Sequence, residues 1–213
     1  MYNLHCHTLL SDGELLPSET AVRYLSVGYK CIAITDHADY SNIESCIRAI
    51  LKFCRHWPKK FPLNVLPGIE LTHLPLDQFK PLASFARKQG IKIIIAHGET
   101  IVEPVIKGTN LAALEADIDI LAHPGLITDK ETKLAKKRGI FLEVTSRRGH
   151  CNSNRHLAKK ALKFGANLIL NNDSHGADDI ISPAELIKTA IMAGLTQKQI
   201  NIFNRNVETF LIK

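Results

Sequence analysis

Short apolar runs recur along the chain, separated by longer amphipathic stretches. Four of the runs follow a glycine: Gly28 precedes YKCIAITDH, Gly90 precedes IKIIIAHGE, Gly139 precedes IFLEVTS and Gly165 precedes ANLILNNDSH. Glycine suits the left-handed position that ends a helix. The runs are β-branched and apolar on both faces, as strands of a buried parallel sheet are. MYNLHCH, LNVLPGIEL and DIDILAHPG have the same character without the glycine, which makes seven predicted strands. Between them, TDKE (Thr128 to Glu131), SPAE (Ser182 to Glu185) and TQKQ (Thr196 to Gln199) predict capping boxes at helix starts. Pro183 falls at a first helical position, where its missing N–H costs nothing. Strand and helix alternating throughout predict a parallel α/β fold. Seven units in about 180 residues fit a small, irregular (β/α) barrel, with a doubly wound open sheet as the alternative. No glycine-rich dinucleotide or phosphate loop is present. Residues 1–213 read as one domain, without a linker or low-complexity segment.

Composition narrows the class. The chain has 213 residues, 45% hydrophobic and 23% charged, enough to bury a core without covalent staples. Its net charge of +6 favours anionic partners mildly, but the lysines are scattered. Aromatics make up 6%, too few for a single-strand stacking platform. The five cysteines form no CxxC pair and are odd in number, so a reducing compartment is expected rather than a disulfide framework. The opening MYNLHCH lacks the basic-then-apolar order of a signal peptide, and no apolar run is long enough for a membrane span. The expectation is a cytoplasmic protein with no membrane partner.

The candidate chemistry sits where the runs end. The first ends in His5 and His7, the second in Asp36 and His37, the third in Glu70, the fourth in His97, the fifth in His123, the seventh in Asp173 and His175. In a (β/α) barrel the C-terminal strand ends share one face, and chemistry gathers there. Strand alternation places His5 and His7 on the same, inner side and Cys6 against the surrounding helices. With Asp12, three carboxylates and six histidines exceed one tetrahedral site, and their chemistry suits Zn, Mn or Fe. The remaining histidines differ: His56 is expected to be exposed, His156 on a helix face, His73 at a pocket rim and His150 in a polar loop. That loop, TSRRGHCNSNR, offers Arg147 and Arg148 as forks for phosphate, with His150 and Asn152 beside them; Asn152 and Ser153 would open the next helix. Glu99 and Lys107 are further rim candidates.

HCHTLLSDGE, AITDH, PGIELTH, AHGE, LAHPG and NNDSH, in this order from His5 to His175, resemble the successive motifs of the PHP (polymerase and histidinol phosphatase) family. The resemblance is strongest to its compact phosphoesterase members. It implies a distorted (β/α)7 barrel with a trinuclear centre of divalent transition metals. By motif, one metal would be held by His5, His7, Glu70 and Asp173. A second would share Glu70 and use His97 and His123, and a third would use Asp12, His37 and His175. Glu70, Asp173 and His175 are the residues expected to carry the reaction. The implied activity is hydrolysis of a phosphate monoester on a small phosphorylated metabolite, histidinol phosphate or a nucleotide among the candidates. A phosphodiesterase or nuclease acting on nucleic-acid ends is the alternative. An amidohydrolase-type barrel also opens with His-x-His, but no strand end here offers the metal-bridging lysine it expects. A non-catalytic module is disfavoured by the complete ligand set.

Overall fold

The computed structural model describes residues 1–212. Its strands are β1 (Tyr2–Asn3), β2 (Cys31–Ile34), β3 (His37–Ala38), β4 (Asn64–Leu71), β5 (Ile93–His97), β6 (Ile120–Ala122), β7 (Phe141–Thr145) and β8 (Leu168–Asn171). All pairings are parallel, in the order β1-β2-β4-β5-β6-β7-β8, with β3 paired to β4. β2 and β3 are one predicted strand split in two. The register against β4 is the same on both sides of the split, Ile34 opposite Pro67 and His37 opposite Glu70. Pro67 has no N–H to give the ladder, which accounts for the break. The sheet curls until its last strand meets its first. Cys6 bridges Ser174, Asp173 N donates to His5 O at 3.1 Å and His7 N donates to Ser174 O at 2.8 Å. The result is a nearly closed barrel of seven parallel strands, as the alternation predicts.

Eight helices are described, α1 (Pro17–Ser26), α2 (Ile43–His56), α3 (Phe79–Lys88), α4 (Thr109–Leu114), α5 (Asp129–Arg138), α6 (Asn154–Phe164), α7 (Pro183–Met192) and α8 (Gln197–Ile212). The capping boxes of α5 and α7 form, with Thr128 and Ser182 each accepting from the backbone of the glutamate three residues on. Thr196 and Gln199 exchange the same pair of bonds before α8. Gly139 and Gly165 end α5 and α6 with φ of 72° and 68°, the left-handed stop that the sequence predicts.

The core has two layers. The larger lies between strands and helices and includes Ile34, Ile69, Leu121, Val144 and Leu170. The smaller fills the barrel itself and includes Tyr2, Leu4, Ile93, Ile95, Ile120, Phe141 and Ile169. α8 closes the barrel floor: Val207 belongs to the inner cluster, and Phe210 packs on Phe141. The inward positions then change character towards the C-terminal ends. Ile93 and Ile95 lead to His97, Phe141 leads to Glu143, and Ile169 leads through Asn171 to Asp173. An apolar plug at one end and ionisable groups at the other are written into the same strands at period two. Among the described residues, no helix is long and apolar enough to cross a membrane.

Candidate metal centre

The first loop after β1 is folded by its own polar groups. The buried Asp36 carboxylate accepts from Thr8 N at 2.8 Å, from the Thr8 hydroxyl at 2.9 Å and from the Ser11 hydroxyl at 2.8 Å. Gly13 packs against the start of this loop, where a Cβ would stand 2.6 Å from the His7 carbonyl carbon, so only glycine fits. The turn brings Asp12 back over the barrel mouth. Its Oδ2 lies 3.3 Å from His175 Nε2 and 3.6 Å from His37 Nε2. Cys6 points the other way, fully buried in the outer layer with its thiol 3.2 Å from Ala33 O. The predicted alternation therefore holds at His5, Cys6 and His7. It does not extend back through β1, since Leu4 joins the inner cluster beside His5.

Deeper in the barrel, Glu70 is completely buried. Its Oε2 is 3.3 Å from His5 Nε2, 3.5 Å from His7 Nε2 and 2.8 Å from His37 Nδ1, and its Oε1 is 3.9 Å from His123 Nε2. Asp173 stands opposite. Its Oδ1 is 3.5 Å from His5 Nε2 and 3.3 Å from His7 Nε2, and its Oδ2 is 3.5 Å from His123 Nε2. Ligand atoms gather as His7, Asp12, His37 and His175; as His5, His7 and Glu70; and as His5, His123 and Asp173. His97 groups differently. Its Nδ1 lies 3.1 Å from Gly98 O and its Nε2 3.0 Å from Glu103, so its ligand atom groups with His73 and Glu103, while its ring packs edge-on against His123 with centroids 4.5 Å apart.

These side chains fit divalent metals on three observations. First, His5 Nε2, both ring nitrogens of His7, both oxygens of Glu70 and His123 Nδ1 are buried without a well-aligned hydrogen bond, the near His37 Nδ1 being engaged by the Thr72 hydroxyl at 2.6 Å. Six orphaned polar atoms in one place would be a severe cost in a finished core. Second, most of the N···O separations above are 3.3–3.6 Å. Charge-assisted hydrogen bonds close to about 2.7–2.9 Å, whereas two ligands of one tetrahedral zinc stand about 3.3–3.4 Å apart at its usual bond lengths. Third, three buried carboxylates, Glu70, Glu143 and Asp173, gather around His5 with one peripheral arginine, Arg147, whose Nε is 3.9 Å from Asp173.

The protonation pattern is mixed. Burial lowers His5 and His37, but the carboxylates facing them, Glu143, Asp173 and Glu70 at His5 and Glu70 and Asp12 at His37, outweigh it and raise both above the usual imidazole value. Burial pushes the Glu70 carboxyl up, but His5 and His37 outweigh it and hold the group well below its usual range. Burial, with His175 and His37 outweighing it, leaves Asp12 at about 2. His7 and His123 are pushed well below the usual imidazole value, mainly by burial and then by neighbouring histidines. Neutral imidazole is the form that binds metal. Asp173 is pushed up to about 7, chiefly by burial, with Glu143 and Glu70 adding. Backbone strain is concentrated here too: His73, His123 and Asp173 are the non-glycine residues with positive φ among the described residues, at 51°, 24° and 54°.

A cavity of 580 Å³ opens over the cluster, lined by Asp12, His37, His97, His123, Asp173 and His175, with His73, Glu103, Arg147 and His150 on its wall. Of the phosphate candidates, Arg147 and His150 line it. Arg148 and Asn152 are exposed and stand outside it. Gly149, at φ 86°, turns the chain after Arg148, and a 3₁₀ turn over His150–Ser153 delays α6 to Asn154. Asn154, not Asn152, braces the strand end, exchanging bonds with Thr145 N and O. Glu99 is not at the rim: its carboxylate accepts from Gly108 N and Asn110 N at the start of α4. Lys107 is exposed and does not line the cavity.

Glu143 is the group that the sequence pattern does not single out. It accepts from His5 Nδ1 at 2.7 Å, from Asn171 Nδ2 at 2.8 Å and from His123 N at 3.2 Å. It thereby fixes the His5 tautomer and leaves Nε2 facing Glu70 and Asp173. The available signal was an acid inside the otherwise apolar run IFLEVTS, on the inward parity.

No family model matches the chain. An uncharacterised protein of Methanocaldococcus jannaschii is 40% identical over 204 residues, covering 93% of this chain and 92% of its own length. The DNA polymerase/3'-5' exonuclease PolX of Bacillus subtilis is 24% identical across 98% of this chain, which spans 40% of PolX. A probable phosphatase of Clostridium novyi is 25% identical over 81% of this chain and 78% of its own. Among solved structures, histidinol phosphate phosphatase of Lactococcus lactis, complexed with zinc, L-histidinol and phosphate, superposes with a TM-score of 0.65 at 16% identity, covering 92% of this chain and 94% of that one.

Proposed function

The chain belongs to the PHP (polymerase and histidinol phosphatase) family of metal-dependent phosphoesterases, and on that premise we propose that it hydrolyses phosphate monoesters of small metabolites. We take residues 1–213 to act as one catalytic domain. The observation that carries the reading is the convergence of His5, His7, Asp12, His37, Glu70, His123, Asp173 and His175 at one barrel mouth, with buried ring nitrogens of His5, His7 and His123 and both Glu70 oxygens left without a partner. A centre of two or three ions, zinc, manganese or iron, suits this mixture of imidazoles and carboxylates. His5, His7, Glu70, His123 and Asp173 would hold the deep position. Asp12, His37 and His175, with His7 beside them, would hold the outer one.

Such metals supply water of lowered pKa and neutralise phosphoryl charge. The chain's own residues do the rest. Glu70 reaches both groups, through His5 and His7 on one side and His37 on the other, and keeps their spacing. Glu143 holds His5 by its far nitrogen. Arg147 is pinned by Asp179 at 3.1 Å and points its guanidinium towards the cavity, where it would take a phosphoryl oxygen. Asp12, open to solvent, and His175, mostly buried, stand at the mouth, placed to meet the leaving group. A 580 Å³ cavity suits a small ligand rather than a polymer.

The exonuclease named in the PolX relative favours a second reading, hydrolysis of a phosphodiester at a nucleic-acid end. One experiment separates the two. Release of p-nitrophenol is followed from p-nitrophenyl phosphate and from bis-p-nitrophenyl phosphate, with manganese or zinc and after chelation. The monoester reading expects strong preference for the first substrate and loss of activity on chelation. Preference for the diester, or activity that survives chelation, contradicts it.

A further inference from the structure

Arg147 is the arginine on the cavity wall, and its reach is fixed at both ends. At the backbone, Arg147 N donates to the hydroxyl of Thr145, the last residue of β7, at 3.1 Å. At the tip, Nη1 donates to Asp179 Oδ2 at 3.1 Å and to Asp173 O at 3.4 Å. Among the described residues Nη2 has no hydrogen-bond partner, which leaves it for a ligand in the cavity.

Asp179 belongs to none of the groups that could hold a metal. It ends the 3₁₀ turn Ala177–Asp179 that follows β8. The oxygen that takes Arg147 also accepts from His175 N at 2.8 Å and from Gly176 N at 3.1 Å. From the opposite side, His175 O accepts from Glu14 N at 2.7 Å. One carboxylate thus ties the guanidinium to the backbone of the segment that carries Asp173 and His175. The Arg147 and Asp179 side chains are 28% and 39% exposed, so their ion pair adds little to folding. By charge alone, an acid here repels a phosphate. Its gain lies in order: an arginine held before the substrate arrives loses less rotamer freedom on binding it.

We propose that Asp179 is a positioning residue of the phosphoester site, which holds Arg147 at a set place beside the Asp173–His175 segment so that Nη2 meets a phosphoryl oxygen. The proposal rests on the phosphomonoesterase reading above. Two other roles for Asp179 give different results. If it acted by charge alone, its removal would tighten phosphate binding. If it only built the turn after β8, its removal would cost the same with or without Arg147.

The test is a double-mutant cycle. Wild type, Asp179→Asn, Asp179→Ala, Arg147→Ala and the two combinations with Arg147→Ala are loaded with zinc. Each is measured for zinc per chain, for the Kd of inorganic phosphate by calorimetry, and for KM and kcat on a phosphomonoester. Asp179→Ala should weaken phosphate binding about tenfold, the scale of a lost hydrogen bond between charged groups. KM should rise with it while kcat changes little, as expected for binding lost equally from ground and transition state. Asp179→Asn keeps an oxygen for His175 N and Gly176 N and should fall between wild type and Asp179→Ala. In the Arg147→Ala background either change should alter phosphate affinity by less than about twofold, because the shared partner is gone. Tighter phosphate binding in Asp179→Ala, or the same loss with and without Arg147, overturns the proposal and leaves the phosphoesterase reading standing. Loss of zinc in Asp179→Asn overturns it too, by assigning Asp179 to His175 instead. A zinc-loaded wild type that neither binds phosphate nor releases it from an ester overturns both.

Discussion

Replacing Glu143 with glutamine changes one oxygen to an amide nitrogen at nearly constant volume, deep in the barrel. The carboxylate accepts on every side: from His5 Nδ1 at 2.7 Å, from Asn171 Nδ2 at 2.8 Å and from His123 N at 3.2 Å. An amide has a single acceptor. If its oxygen keeps His5 and Asn171, its NH2 faces the His123 N–H, donor against donor. If it flips, the conflict moves to His5, which loses the charge-assisted bond that fixes its tautomer. Either loss is on the order of 1.5–3 kcal/mol. Disrupting the group behind a metal-binding histidine typically lowers metal affinity ~10–100-fold, or about 1.4–2.7 kcal/mol, so the two routes agree. The assay is zinc affinity by chelator competition, with a metal-free thermal melt beside it. The variant should bind its tightest zinc some tens of times more weakly while remaining folded. Wild-type affinity in Glu143→Gln would refute the reasoning, because His5 would then need no support from behind.

Other perturbations read different parts of the site. Glu70→Ala should lose more metal and more activity than His175→Ala, since Glu70 touches His5, His7 and His37 whereas His175 serves one edge; equal losses by metal analysis and rate would contradict this. Cys6→Ala should keep full metal content, and Cys6→Ser should be nearly as stable because its hydroxyl inherits Ala33 O as an acceptor; a stable, metal-depleted variant would place the thiol in the centre. Metal affinity should fall as pH drops below about 7, because burial keeps a proton on Asp173 that a metal must displace. The sign for folding follows from the same group: its pKa rises from about 3.9 in the unfolded chain, so between these values the native metal-free state holds the extra proton. Its contribution therefore weakens stability as pH rises through that window, and thermal melts with and without metal should diverge from pH 5 to pH 7. Arg147→Ala should raise KM for a phosphomonoester, whereas Arg148→Ala should leave it unchanged.

The barrel and most of its metal-type residues are legible in the sequence because both are carried by strands. Period two decides which side chains face inwards, and a run that ends in histidine or acid declares its strand end without any knowledge of its neighbours. Glu143 escapes this logic because it lies one residue pair below the strand end, where its role depends on His5 from another strand. Loop residues escape it for a different reason. Nothing local says that Gly149 turns Arg148 outwards and leaves Arg147 on Asp179, or that Glu99 caps α4 while Glu103, four residues on, enters the cavity. His97 shows the limit most clearly. Its strand-end position is legible, but its partners are set by the loop that follows.

The central claim is that metals gathered at the strand ends hydrolyse phosphate esters, and a titration tests it directly. The stripped chain is loaded stepwise with zinc or manganese, and the rate of phosphate release from a phosphomonoester is plotted against metal bound per chain. The rate should start from zero and keep rising beyond the first bound equivalent before it reaches a plateau. A rate that is already maximal at one equivalent contradicts a multinuclear centre, and a fully loaded chain that releases no phosphate contradicts the account as a whole.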